Sequence, residues 1–189
     1  LLQQKIVKNF IRVIIVLMIE IKRFIQEAEI HGGEKVADFG AGSGFIALEL
    51  AKAVGPTGEV AAIDILEEPL EVLETRAKNL KLFNIRTIKS DLEKENGSTL
   101  QSNSCDLVVI VNLLFQVEEP KTIAKEAKRI LKAGGKAVVI EWLPQKLIGK
   151  ENQFVHQPED VKKIFQKQGF NFVKLFSPGL SHYGLIFQK

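Results

Sequence analysis

Three glycines and three aspartates carry most of the chemistry that this sequence can do. Gly40, Gly42 and Gly44 alternate in Val36-Ala37-Asp38-Phe39-Gly40-Ala41-Gly42-Ser43-Gly44, after a short apolar run and before a stretch with helical spacing. Glycines permit a tight turn and close approach of a ligand to the backbone, and exposed amides at a helix start serve a polar ligand group. Asp64 stands twenty residues beyond Gly44, at the end of the next apolar run. A carboxylate there accepts hydrogen bonds from both hydroxyls of a ribose. Asp91 follows a third run in Ile88-Lys89-Ser90-Asp91-Leu92, placed to receive an adenine amino group, with Ile65 and Leu92 offering apolar surface to the ring. No Gly-Lys-Ser/Thr follows the glycines, so a Walker phosphate loop is absent. The set suits either a nicotinamide dinucleotide or an adenosyl cofactor.

Asp38 separates these two. The dinucleotide fingerprint is G-x-G-x-x-G, whereas this chain has G-x-G-x-G. A carboxylate inside the strand-to-loop turn is also a poor neighbour for a pyrophosphate. S-adenosylmethionine has no phosphate, and its amino group and sulfonium are both positive, so Asp38 would attract its amino-acid end. A nicotinamide oxidoreductase is therefore the weaker reading.

Methyl transfer from a sulfonium asks little covalent help of a protein. The protein aligns an incoming nucleophile opposite the departing sulfur and excludes water. A base is needed only where the nucleophile must lose a proton, so no catalytic residue is assigned. Glu141, His156 and His182 are the candidates for orienting or deprotonating an acceptor. Asn112 and Gln116 offer polar contacts after the fourth strand, and Leu113, Leu114 and Phe115 would bound the cofactor or an apolar substrate, although Leu113 and Leu114 are expected to be simple core packing. Trp142 either stacks on a substrate or covers the loop. Glu141 is expected to be a solvated strand-end acid if it has no such role. Cys105, just before an apolar run, is expected to be an inert packed thiol. His31, His156 and His182 lack metal-ligand spacing, so no metal site is expected.

The elements that must position these residues read as alternating strands and helices. Strands are expected at Val36–Phe39, Val60–Ile65, Ile85–Ile88, Leu107–Val111 and Ala137–Ile140, with helices at Ser43–Val54, Glu68–Leu82 and Pro120–Leu131, the last ending near Gly134-Gly135. Glu93–Ser104 reads as an exposed connection. A helix over Pro158–Gln168 precedes two strands, Phe170–Phe176 and Tyr183–Phe187, joined by a turn too short for a parallel crossover. This is one doubly wound α/β domain with an antiparallel edge.

With 26 basic and 23 acidic residues the charge balance is too mild to indicate a nucleic-acid partner. A single cysteine forms no internal disulfide and fits a reducing, cytoplasmic setting. Val13–Ile19 is the longest apolar run, and a membrane span needs roughly 20 such residues, so no transmembrane segment is expected. No small-residue cleavage site follows it, and the chain opens on Leu1, which leaves open a start that is missing or processed. Val7, Phe10, Ile11, Ile14, Met18, Ile21 and Ile25 give residues 1–30 a wide helical stripe. That helix is expected to pack on the domain of residues 31–189, or to meet a second copy, a lipophilic substrate or a membrane surface.

The glycine segment, Asp64 and Asp91-Leu92 together resemble class I S-adenosylmethionine-dependent methyltransferases, the broad type acting on small molecules, quinones and proteins. Asp106-Leu107-Val108-Val109-Ile110-Val111-Asn112 is similar to that family's fourth strand and its exit beside the reacting centre. Leu131-Lys132-Ala133-Gly134-Gly135-Lys136 is similar to the turn before strand five, with alanine at position 133 where most relatives have proline. The resemblance implies a seven-stranded Rossmann-like sheet of order 3-2-1-4-5-7-6 with strand 7 antiparallel. It implies S-adenosylmethionine contacts from Asp38, Phe39, Gly40, Ala41, Gly42, Gly44, Asp64, Ile65, Asp91, Leu92 and Asn112. No Asp/Asn-Pro-Pro-Tyr/Phe follows strand four, which disfavours enzymes acting on exocyclic base nitrogens or glutamine amides. The expected activity is direct methyl transfer to a small or lipophilic acceptor. The alternatives are a protein or RNA methyltransferase, or a catalytically silent scaffold that retains the cofactor site.

Overall fold

The structure is a computed structural model that describes residues 20–144 and 156–189. Residues 1–19, most of the expected N-terminal helix, lie outside the described residues, as do residues 145–155. In chain order the elements are α1 (Ile21–Ala28), β1 (Lys35–Phe39), α2 (Phe45–Val54), β2 (Glu59–Asp64), α3 (Glu67–Asn79) and β3 (Ile85–Lys89). They continue with β4 (Cys105–Val111), a 3-10 turn (Leu114–Gln116), α4 (Pro120–Ile130), β5 (Leu131–Trp142), α5 (Pro158–Lys167), β6 (Asn171–Phe176) and β7 (His182–Gln188).

The strands form one sheet in the order β3-β2-β1-β4-β5-β7-β6. Strands β1 to β5 pair in parallel, whereas β7 runs antiparallel to both β5 and β6. The antiparallel strand is thus inserted one place in from the edge, and β6 forms the edge itself. The turn between β6 and β7 consequently returns to the same edge of the sheet as the carboxyl ends of β1 to β5.

Side-chain alternation explains why both faces are covered. Along β1 and β4, Ala37, Phe39, Val108 and Ile110 join a core under α4 and α5, while Val36, Leu107 and Val109 join a second core under α1, α2 and α3. Asp38 falls in register with Val36, on the α2 side. Phe24 and Ala28 of α1 are buried in that same core. Helix α3 carries Glu67 and Glu68 in its first turn and Arg76 and Lys78 in its last, which complements the helix dipole at both ends.

Three local expectations need correcting. Strand β5 starts at Leu131 and runs through Gly134-Gly135, because Cys105 pairs with Leu131 across a register shift before the regular ladder begins at Leu107 and Lys136. Strand β2 stops at Asp64, leaving Ile65 outside it. The connection after β3 is also not wholly exposed: the buried Ser98 donates its amide to Glu126 (2.9 Å), and Arg129 closes on the same carboxylate (2.7 Å). Arg129 also donates to the carbonyl of Leu100 (2.8 Å), so the hydrogen bonds from Ser98 to Glu126 and from Arg129 to Leu100 hold the connection against α4. Cys105 is a buried, free thiol that burial pushes up from its usual pKa.

Candidate cofactor and acceptor site

The glycine loop is held from below on every side. The carbonyl of Ile63 accepts the amides of Gly40 and Ala41, both at 2.9 Å, and Asp64 Oδ2 accepts the amide of Gly42 at 2.8 Å. Asp64 Oδ1 accepts the amide of Leu66 at 2.9 Å, so the end of β2 fixes both the loop and its own exit. From α3, Arg76 donates to the carbonyl of Ser43 (2.8 Å) and stacks over Phe45 at 4.2 Å. Nothing in the sequence around Arg76 signals this support, because its partners lie more than thirty residues away.

The positive φ values of the three glycines serve different ends. A Cβ at Gly44 would lie 2.1 Å from Leu73 Cδ1, so α3 packs directly against the loop there. At Gly40 it would lie 3.0 Å from Leu113 Cδ1, which brings the loop after β4 against the glycine loop. At Gly42 it would meet nothing within 4 Å. The loop is packed at its two ends and open at its middle, the shape of a cradle for a ligand lying against backbone.

Asp38 lies beneath the cradle and is only 1% exposed. Its carboxyl is pushed up to about 7, chiefly by burial and further by the charge of Asp64, against a hydrogen bond from the amide of Ala47. Its Oδ2 is buried without a hydrogen-bond partner. An orphaned acceptor below an open loop fits a ligand with a positive group, and this is the fit expected of S-adenosylmethionine. Asp91 caps its own turn by accepting the amide of Glu93 (3.0 Å), and Lys94 stands 3.7 Å from it. Ile65 is 58% exposed, whereas Leu92 is 7% exposed and joins the core, so only Ile65 presents apolar surface to solvent. Phe39 is fully buried behind the loop.

On the other side, the ends of β4, β5 and β7 bring together four candidate residues. Asn112 Oδ1 and His182 Nε2 are 3.1 Å apart, and the His182 ring packs in a tilted arrangement against Trp142 with centroids 4.1 Å apart. Burial holds the imidazole of His182 down at about 4. Glu141 is a buried acid, not a solvated one: its Oε1 accepts the amide of Leu114 at 2.6 Å. Burial pushes its carboxyl up to about 8, although the amides of Leu114, Leu113 and Trp142 pull the other way. It therefore shapes the loop after β4. His156 is held below its usual pKa by burial, and its carbonyl accepts the Tyr183 hydroxyl at 3.0 Å. Leu114 and Phe115 are buried, so they line the core beneath the site. Among the described residues no group of three His, Cys, Asp or Glu side chains is placed to hold a metal ion.

A doubly wound sheet with β7 reversed, a glycine loop after β1 and acids near the carboxyl ends of β1 and β2 and just after β3 defines a nucleoside-binding α/β domain. A family model described as a methyltransferase domain matches residues 30–172. The chain belongs to the S-adenosylmethionine-dependent methyltransferases. Residues of this chain are 35% identical over 120 positions to a demethylmenaquinone methyltransferase of Staphylococcus aureus, covering 64% of this chain and 48% of that protein. The chain thus spans about half the length of the curated relatives it matches. A crystal structure of a SAM dependent methyltransferase from Aquifex aeolicus aligns with a TM-score of 0.76 at 25% identity, covering 90% of each chain. The [4+2]-cyclase SpnF aligns with a TM-score of 0.77 at 15% identity, covering 89% of this chain and 79% of that one, a likeness of fold alone.

Proposed function

We propose that this chain transfers the methyl group of S-adenosylmethionine to a small, lipophilic acceptor. The observation that carries the reading is the glycine cradle, open at Gly42 and flanked by the orphaned Asp38 carboxyl below and Asp64 at its rim. Asp64 would hold the ribose hydroxyls, Asp91 the adenine amino group with Ile65 against the ring, and Asp38 the cationic amino-acid end. Gly40, Ala41, Gly42 and Gly44 supply the close backbone approach, and Asn112 borders the side from which an acceptor enters. Leu92 and Phe39 act from behind, as packing that fixes these loops.

When bound, S-adenosylmethionine supplies an electrophilic methyl on a sulfonium. The chain's own task is to desolvate and orient the acceptor. Leu113 and Trp142 give the acceptor side an apolar character, and the relative named demethylmenaquinone methyltransferase supports a ring-bearing, lipophilic acceptor. Calorimetry should find saturable S-adenosylmethionine binding, and labelled methyl should appear on demethylmenaquinone presented in detergent in its reduced, hydroquinone form, whose ring supplies the electron pair for the new bond. A folded protein that fails to bind S-adenosylmethionine would overturn the reading. Binding without turnover across a broad set of quinol, phenol and protein acceptors would favour the scaffold alternative.

A further inference from the structure

Asn112 and His182 form a pair beside the cofactor cradle, at the exit of β4 and the start of β7. Asn112 follows β4 with φ at 53°, a left-handed conformation uncommon for a residue other than glycine. Its amide donates to Ile140 O at 2.9 Å and its carbonyl accepts the Gln116 side chain at 2.6 Å, so the surrounding backbone fixes where its side chain starts. Its Oδ1 meets His182 Nε2 at 3.1 Å. An amide oxygen only accepts, so Nε2 carries the imidazole proton and Nδ1 is left with a lone pair. That Nδ1 is buried without a hydrogen-bond partner, on a side chain that is 1% exposed. A buried acceptor without a donor is costly, and a native structure retains one for a reason.

The pair stands beside the reacting edge. Asn112 immediately precedes Leu113, the residue packed against Gly40, and the Trp142 ring packs on the imidazole, tilted by 35° to it. We propose, resting on the methyl-transfer reading above, that His182 is a positioning residue whose Nδ1 accepts a hydrogen bond from a hydroxyl of the methyl acceptor. The acceptor class is then a hydroxylated ring, a phenol, naphthol or hydroquinone. A carboxylate has no proton to donate, and an ammonium group would be desolvated beside Leu113 and Trp142 without a charged partner. Burial keeps the imidazole neutral near pH 7, which preserves the lone pair.

The test uses 1-naphthol and its capped analogue 1-methoxynaphthalene, titrated into the protein and followed by NMR. Wild-type protein should bind 1-naphthol on the order of tenfold more tightly, the worth of one hydrogen bond. His182→Gln keeps a donor near the Nε2 position for Asn112 and removes the Nδ1 acceptor, so it should lose that preference and bind both probes alike. In wild-type protein the His182 Nδ1 nitrogen should resonate as an unprotonated nitrogen and shift with 1-naphthol only. No preference in the wild type, a preference that persists in His182→Gln, or a protonated Nδ1 would each overturn the proposal. If the variant does not fold, the nitrogen spectrum of the wild type decides alone. Calorimetry of S-adenosylmethionine on the same wild-type protein reports separately on the methyl-transfer reading.

Discussion

The amide of Gly42 donates to the carboxylate of Asp64 at 2.8 Å, tying the open middle of the glycine loop to the end of β2. One side chain thus sets the loop and, in the proposed reading, receives the ribose. Asp64→Ala should weaken S-adenosylmethionine binding by about 1–3 kcal/mol, the range for a lost charged hydrogen bond. Calorimetry on the folded variant measures this, and unchanged affinity would remove Asp64 from the site.

Glycines two residues apart should fail in different ways. Gly44→Ala forces a methyl to within 2.1 Å of Leu73 Cδ1 at positive φ. Overpacking of this kind costs typically 1–3 kcal/mol, and the left-handed backbone adds about 1 kcal/mol more. Gly42→Val meets no protein atom near its Cβ, so it pays only the backbone term yet fills the cradle. Urea denaturation should show the larger stability loss for Gly44→Ala, and calorimetry should show the complete loss of cofactor binding for Gly42→Val.

Cofactor affinity should rise with pH across neutrality. In the free protein Asp38 titrates at about 7, and a cationic ligand group favours its ionised form. Binding below that value must therefore release a proton, while binding above it need not. Calorimetry at pH 6 and pH 8, in buffers of different ionisation enthalpy, should find tighter binding and less proton release at the higher pH. Asp38→Asn should flatten the part of this trend that comes from Asp38.

The stability profile should carry the mark of Glu141. Its folded pKa of about 8 lies above the ordinary carboxylate value, so its contribution is fully present in acid and is lost as pH rises through the folded value. Carboxylates held low by partners, such as Glu126 beside Arg129 and Asp106 beside Lys132, act in the opposite sense, and their contribution is lost in acid. Thermal unfolding of wild type and Glu141→Gln from pH 5 to pH 9 isolates the first effect. The stability of the variant relative to wild type should climb with pH, and a constant difference would show that Glu141 does not titrate in this range.

The order of strands and helices was legible because each strand is a short apolar run bounded by glycine, proline or an acid, and periodicity reports such runs well. Asp38, Asp64 and the glycines were legible as a set because they are local in sequence, each at the end of a recognisable run. Their supports were not. Arg76 and Leu73 reach the loop from α3, and Glu141 reaches the turn after β4 from β5, through contacts that tertiary packing alone creates. Asn112 and His182 were each visible as polar residues near strand ends, but seventy residues separate them, and nothing local marks them as partners. Leu92 shows the converse: its place next to Asp91 suggested a ligand contact, while its apolar character sent it into the core.

The reversed direction of β7 has a further consequence. It delivers the first residue of a strand, not the last, to the reacting edge, directly after the turn over residues 177–181. Insertions or deletions in that turn would re-aim His182 while leaving in place Asp38, Asp64 and Asp91, the acids proposed to hold the nucleoside donor. In the proposed reading the donor and the acceptor are thus served by different parts of one sheet, so the hairpin can be altered without touching the strands assigned to the nucleoside.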